Sequence, residues 1–173
     1  MGPARLHDIV EGPGSLPQRP GEVAEVGEGV TRVKVGDRVA GTFFQVWIDG
    51  RPPAGFASLG VPLDGTLAGA IVLHEDGVVH TPSHITDEEA ATLPCAAATA
   101  WSALVTHGGA RPGDTVLLQG TGGVSIFALQ IAKLLGLRTI VTSSSDEKLA
   151  RARQLGADEG INYKSTPDWE KAA

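Results

Sequence analysis

The sequence predicts an α/β chain of two unlike folding units, a β-rich first part and a second part that alternates strands and helices around a parallel sheet. Three observations carry this reading. Before about Asp87 the chain consists of short β-like runs separated by Gly and Pro, whereas after it longer helical patterns alternate with brief apolar strands. Charge divides unevenly as well: residues 1–114 hold 7 basic and 14 acidic side chains, and residues 115–173 hold 7 and 6. Finally, the β-α-β-α-β order of the second part, with short links, calls for parallel strands joined by right-handed crossovers.

Residues 1–20 contain four prolines and three glycines without periodicity and are expected to be irregular. Glu22-Val23-Ala24-Glu25-Val26 alternates polar and apolar residues as a half-buried strand does. Gly27-Glu28-Gly29 is a turn, and a Gly36-Asp37 turn leads into a strand at Arg38-Val39. Leu67 to Leu73 and Val78 to Thr81 are expected as a strand pair around His74-Glu75-Asp76-Gly77. Thr86-Asp87-Glu88-Glu89 supplies an N-cap and an acidic first turn for a helix. Pro94 ends that helix or opens the next, which runs to about His107 and closes at Gly108-Gly109.

Thr115-Val116-Leu117-Leu118 is then a short apolar strand. Gly122 to Leu135 is a helix, with Val124, Phe127, Ala128, Ile131, Leu134 and Leu135 on its apolar face and Gly136 as its stop. Arg138 to Thr142 is a second strand, Asp146 to Leu155 a second helix, and Gly160-Ile161-Asn162 begins a third strand.

Composition excludes several function classes. At 173 residues the chain is long enough to bury a core without disulfide staples, and 42% hydrophobic with 20% charged residues describes a globular protein rather than a disordered one. A net charge of −6 and eight aromatic residues argue against a nucleic-acid groove, which needs clustered cations and stacking platforms. The most apolar stretch, Ala90 to Val105, is too short and too interrupted to span a membrane. The first eight residues lack the apolar core of an export signal. The single cysteine, Cys95, fits a reducing cytoplasm and cannot alone build a thiolate metal site.

The chemistry-bearing motif is the first strand-to-helix turn, Gln119-Gly120-Thr121-Gly122-Gly123-Val124-Ser125. In a dinucleotide fingerprint the first Gly makes the tight turn, the second lets backbone N–H groups approach a pyrophosphate, and the third permits close helix–strand packing. Gly120 and Gly122 fill the first two roles, and Ser125 stands at the third as a small residue outside the strict pattern. The phosphate would rest on the N-terminus of the following helix. The alternative is a tight turn that binds nothing. An NAD site usually carries an acid at the end of the second strand; here that stretch is Thr142-Ser143-Ser144-Ser145, with Asp146 already at the helix cap. Neutral hydroxyls with Lys148 a turn further on suit a 2′-phosphate. The alternative for Ser145 and Asp146 is capping alone, and for Lys148 a solvated surface charge.

At this point the sequence resembles a family. Gly21-Glu22-Val23, Val26-Gly27-Glu28-Gly29-Val30 and Val35-Gly36-Asp37-Arg38-Val39 resemble the GroES-like domain of medium-chain dehydrogenases/reductases. Ala91-Thr92-Leu93-Pro94-Cys95-Ala96, Thr99-Ala100-Trp101 and the glycine turn resemble its domain junction and Rossmann turn. The likeness covers about residues 21–167. It implies a partial GroES-like β-barrel over 21–86, followed by the first half of a Rossmann doubly wound parallel sheet over 87–173. It is nearest the zinc-independent branch, similar to NADP-dependent quinone oxidoreductases and alcohol-dehydrogenase-like proteins. In that branch a small residue after the second strand, a Lys four residues on, and the Tyr of an Asn-Tyr pair hold the 2′-phosphate; Ser144, Lys148 and Tyr163 match these positions. Gly120, Gly122, Gly123 and Val124 are expected at the pyrophosphate, Ser143 beside Ser144, and Thr99 beside the nicotinamide.

The departures are equally specific. Zinc-dependent relatives hold their metal with a Cys, a His and a second Cys; Cys95 matches only the last, Pro17-Gln18-Arg19-Pro20 stands at the His position, and the four-Cys lobe is absent. No metal is therefore expected, and Cys95 is read as a small buried thiol. His74, His80, His84 and His107 are read as surface or loop residues. The first strands of the catalytic domain are missing and the Rossmann part stops at its third strand, so the sequence resembles a fragment of the family.

The implied activity is hydride transfer between NADPH and a carbonyl, alcohol or activated alkene, with a small-molecule substrate and no catalytic acid identifiable. Two other readings stay open. One is a non-catalytic remnant that binds nucleotide, or that binds a protein or a second copy of itself through an open sheet edge. The other is a methyltransferase-type Rossmann domain, which would want an acid where Ser143-Ser144 stand.

Overall fold

The computed structural model describes residues 3–7, 20–55 and 57–171. They form two compact units, divided between Cys95 and Ala96. No helix among the described residues is long and apolar enough to cross a membrane.

The first unit is built on β1 (Pro3–His7), β2 (Pro20–Val26), β3 (Arg38–Gly41), β4 (Ser58–Leu59), β5 (Pro62–Leu63), β6 (Ala70–His74) and β7 (Val78–His80). Five of these make one antiparallel sheet in the order β6-β1-β2-β3-β7, while β4 and β5 form a separate parallel pair. The expectation that residues 1–20 are irregular is corrected here. Pro3–His7 runs between β2 and β6, with Ala4 opposite Val26 on one side and Leu73 on the other. Local composition carries no sign of this because both partners are distant in sequence. Pro3 is tolerated as the first residue of the strand, where the missing N–H costs least. Residues 8–19 lie outside the described residues.

A second expectation fails too. β6 and β7 do not pair with each other but stand at opposite edges of the sheet. Their link, Glu75–Gly77, is a 3₁₀ turn in which no residue takes the positive φ that a two-residue hairpin turn demands. Instead the buried Glu75 carboxylate accepts from the backbone N–H groups of Thr31 and Arg32, both at 2.8 Å. Those two bonds, Thr31 first, hold its carboxyl below the usual carboxylate range. The four Cα steps from His74 to Val78 reach about 14 Å at most, whereas the outer strands of a flat five-stranded sheet stand about 19 Å apart. The sheet is therefore curled like a barrel wall around Val23, Val33, Val39, Leu59, Leu73 and Val78. Gly41 permits the closure, since a Cβ there would stand 3.1 Å from the tips of both Leu59 and Leu73.

A short helix, α1 (Asp87–Ala91), ends this unit with the predicted cap. The Thr86 hydroxyl accepts from Glu89 N–H at 3.2 Å, and the Glu89 carboxylate accepts from Thr86 N–H at 2.9 Å. Arg38 fastens it to β3, donating to Asp87 at 2.8 Å and to the carbonyls of Ile85 and Pro82.

In the second unit α2 (Ala98–Trp101) is flanked by wide i→i+5 turns over Leu93–Ala97 and Ser102–His107. Pro94 lies in the first of these, where widening accommodates its ring and missing N–H. Next come β8 (Thr115–Gln119), α3 (Gly123–Leu134), β9 (Arg138–Ser143), α4 (Asp146–Gln154) and β10 (Glu159–Asn162). The three strands are parallel in the order β10-β9-β8, with Gln119 opposite Thr142 and Asn162 opposite Ser143 at their carboxyl ends. This is the predicted βαβαβ unit.

The apolar face of α3 matches the expected one in part: Ala128 lies in the core, and Phe127 and Ile131 pack against it. Ala128, Leu129 and Ala132 are the buried residues, whereas Leu134 is 81% and Val124 42% exposed. Ala128 and Ala132 share the inward face with the fully buried Leu129, so small residues as well as large ones pack against the sheet. A polar knot closes the far end of the sheet. Asp158 accepts from Thr139 N–H at 2.8 Å, from the Thr139 hydroxyl at 2.9 Å and from Lys133 at 3.0 Å. These bonds, the Thr139 N–H foremost, hold the Asp158 carboxyl down at about 2.

Leu129→Ala should cost about 2–5 kcal/mol of stability, and Leu134→Ala no more than about 0.5, in urea unfolding. The reverse order would restore the face read from the sequence. Asp158→Asn should destabilise the protein at neutral pH. Because the Asp158 carboxyl titrates lower in the folded chain than in the unfolded one, its contribution is complete above about 4. It is lost as pH falls toward about 2, so the gap between wild type and variant should close over that window. A gap independent of pH would show that the charge of Asp158 is not what matters.

Candidate functional site

All three loops that leave the carboxyl ends of β8, β9 and β10 gather at one edge of the parallel sheet. The first begins at Gly120, whose φ of +88° is open to glycine at little cost. Its N–H donates to the Thr142 carbonyl at 3.0 Å and lies 3.2 Å from the Thr142 hydroxyl, so the turn is pinned to β9. Gly122 is the N-cap of α3 and offers no side chain to cap it. The first N–H groups of the helix therefore lack the usual side-chain partner. A Cβ at Gly120 or Gly122 would meet nothing within 4 Å, so open space stands over the loop. At Gly123 a Cβ would only touch Ala96, at 3.7 Å. Val124 is half-exposed in the first turn of the helix. Ser125, at the third glycine position, donates its hydroxyl to the Gln119 carbonyl at 3.1 Å, which ties the helix to the end of β8. The result is an open backbone turn at a helix N-terminus, a place suited to an anion.

The second loop follows β9. Ser143 is only 3% exposed; its hydroxyl accepts from Ser145 N–H at 3.3 Å and stands 3.4 Å from that of Thr121. Ser145 caps α4 by accepting from Lys148 N–H at 3.3 Å. Ser144 is half-buried between them. The Lys148 side chain is exposed, and its ammonium has no hydrogen-bond or ion-pair partner among the described residues.

The third loop follows β10. Tyr163 N–H donates to the Ser143 carbonyl at 3.1 Å, which brings this residue beside the second loop, and its ring is 42% exposed. Asn162 donates its side-chain amide to Asp146 at 2.9 Å and accepts from Lys164 N–H at 3.0 Å.

The fold thus brings together the Gly120–Val124 turn, Ser143, Ser144, Lys148 and Tyr163. Thr99 lies on α2, which packs against α3, with its side chain exposed. Thr121 and Thr142 were not singled out by sequence reasoning. The signal available was the unbroken run of hydroxyls from Thr142 to Ser145, of which three are spent on joining loops.

Cys95 is exposed, where a buried thiol was expected. Ala100 takes the fully buried position of its helical run, and Ala96 turns toward Gly123. His80 is a surface residue paired with Asp37 at 3.0 Å, and exposed His74 caps the Glu75–Gly77 turn. Among the described residues no three His, Cys, Asp or Glu side chains converge as a metal requires.

Residues 19–83 match the alcohol dehydrogenase GroES-like domain, and residues 123–173 match the zinc-binding dehydrogenase family. A zinc-type alcohol dehydrogenase-like protein of Schizosaccharomyces pombe is 45% identical over 170 residues, which is 93% of this chain and 49% of that protein. The crystal structure of an NAD-dependent alcohol dehydrogenase superposes with a TM-score of 0.82 at 34% identity, covering 98% of this chain and 56% of the other. A 2-octenoyl-CoA carboxylase reductase solved with NADP and 2-octenoyl-CoA superposes with a TM-score of 0.78 at 32% identity, over 86% of this chain and 36% of the other. The chain spans about half the length of the relatives it matches.

Proposed function

Because this chain belongs to the medium-chain dehydrogenase/reductase superfamily, we propose that its site serves hydride transfer between NADPH and a carbonyl, alcohol or activated alkene, without zinc. The bound dinucleotide supplies the hydride chemistry, and the residues of this chain bind and orient it. Backbone N–H groups from Thr121 to Val124 receive the pyrophosphate over the turn that Gly120 opens, its own N–H being bound to Thr142, with the N-terminus of α3 beneath it. Ser144, Lys148 and Tyr163 hold the 2′-phosphate. Ser143, buried and engaged with Thr121 and Ser145, shapes the loop behind them and does not reach the ligand. Thr99 faces the nicotinamide end.

One observation carries the choice of NADP(H). Lys148, four residues after Ser144, and Tyr163, whose backbone N–H donates to the Ser143 carbonyl, carry polar tips without protein partners among the described residues, beside the loop where an NAD site would present a carboxylate. An acid there would bind the ribose hydroxyls and repel a phosphate, whereas an ammonium and a hydroxyl favour one. The donor set supports the zinc-independent reading: among the described residues Cys95 belongs to no group of three His, Cys, Asp or Glu side chains that could hold a metal.

A hydrogen bond to a charged group contributes roughly 1.5–3 kcal/mol, so Lys148→Ala should weaken NADPH binding about 10- to 150-fold. NADH, lacking the phosphate, should bind as before. Fluorescence titration of both nucleotides decides the matter, and an equal loss for both would make Lys148 a surface charge. Gly122→Thr tests the cradle. Thr ranks beside Gly as an N-cap and its Cβ meets no protein atom within 4 Å, so the thermal midpoint should hold while binding of either nucleotide disappears. Retained binding would place the pyrophosphate elsewhere.

A further inference from the structure

The acid nearest the Ser144 loop is Asp146, the first residue of α4, and its position is a liability for a site that takes phosphate. A helix N-terminus attracts negative charge, and an unrestrained carboxylate in the first turn competes with any anionic ligand for the same field. Asp146 is not unrestrained. Its Oδ1 accepts from the Asn162 amide at 2.9 Å, and Asn162 is itself fixed. The Asn162 Oδ1 accepts from Lys164 N–H at 3.0 Å, and its carbonyl accepts from Thr166 N–H at 2.9 Å and from the Ser165 hydroxyl at 3.2 Å. The amide can therefore present only its NH₂ to Asp146, and the carboxylate is held toward the end of β10. Glu147, the next acid, is displaced by about 100° around the helix.

We propose that Asn162 is a specificity-determining positioning residue, which makes the site selective for a 2′-phosphorylated nucleotide by tethering Asp146 away from the phosphate position. This rests on the NADP(H) reading above. The amide neutralises nothing; it removes one anion from the place where another must sit. Freed of the tether, Asp146 can swing over the first turn of α4 toward Ser144, where it repels a phosphate and accepts from ribose hydroxyls. The same residue would then serve NADH and oppose NADPH.

The test is titration of the 173-residue chain with NADPH and with NADH, in wild type, Asn162→Ala and Asn162→Ala/Asp146→Asn. The single variant should lose NADPH affinity about fivefold, as for two unit charges brought within about 4 Å in water, while NADH affinity does not fall. Adding Asp146→Asn should restore NADPH affinity, because the competing charge is gone. Asn162→Ser keeps an acceptor for Lys164 N–H without reaching Asp146, and it reports in the same way should the alanine variant not fold. Equal losses for both nucleotides, or no rescue by Asp146→Asn, would overturn the proposal and leave Asn162 as an anchor for Tyr163. A wild type that does not prefer NADPH, or that binds neither nucleotide, would instead overturn the NADP(H) reading beneath it, and the proposal with it.

Discussion

Parallel pairing of β8, β9 and β10 is the constraint on which the candidate site depends. Strands that run the same way must release their following loops at the same edge, so three segments far apart in sequence meet there. Register then sets which residues meet. With Gln119 opposite Thr142 and Asn162 opposite Ser143, the residues just past each strand are the glycine turn, the serine run and Tyr163. A slip of one residue would send every side chain of the slipped strand to the other face of the sheet. Two backbone bonds lock the arrangement beyond the strands themselves, from Gly120 N–H to the Thr142 carbonyl and from Tyr163 N–H to the Ser143 carbonyl.

Within that frame the polar residues divide their labour. Thr142, Ser143 and Ser145 satisfy backbone groups or one another and so tie the loops together, while the polar tips of Lys148 and Tyr163 have no protein partner among the described residues. The site contains an acid as well, yet Asp146 is engaged by Asn162. The NADP(H) selectivity proposed above would combine a favourable contact with the removal of an unfavourable one. The first unit solves a different problem. Its curled sheet is closed by a three-residue link in which the buried Glu75 carboxylate accepts two backbone hydrogen bonds from Thr31 and Arg32.

Much of this was legible from the residues alone. The β-α-β-α-β order, the capping box at Thr86 and Glu89, the Gly136 stop and the glycine turn between β8 and α3 follow from local periodicity and turn chemistry, and the structure contains all of them. The serine run with Lys148 a turn further on could be read from the residues, whereas Tyr163 joined them only through the resemblance to the family; the parallel strands bring all of them to one sheet edge. What could not be read was the function of each hydroxyl in that set. Ser143 and Ser144 are adjacent and chemically identical, and only burial separates Ser143, engaged with Thr121 and Ser145, from the more exposed Ser144.

The sequence by itself determined the two-unit character of the chain, the parallel strands and the chemistry on offer at their ends, since propensity, capping and glycine geometry act over a few residues. Tertiary structure decided which strands are neighbours, which face of α3 is buried and which polar groups remain unpaired. β1 is a strand because β2 and β6 supply its hydrogen bonds, and β6 and β7 are separated because three other strands lie between them. α3 turns Ala128, Leu129 and Ala132 inward and leaves Leu134 exposed because packing against the sheet, not hydrophobicity alone, sets which residues are buried. Each of these outcomes depends on contacts between residues tens of positions apart, and no local pattern records them.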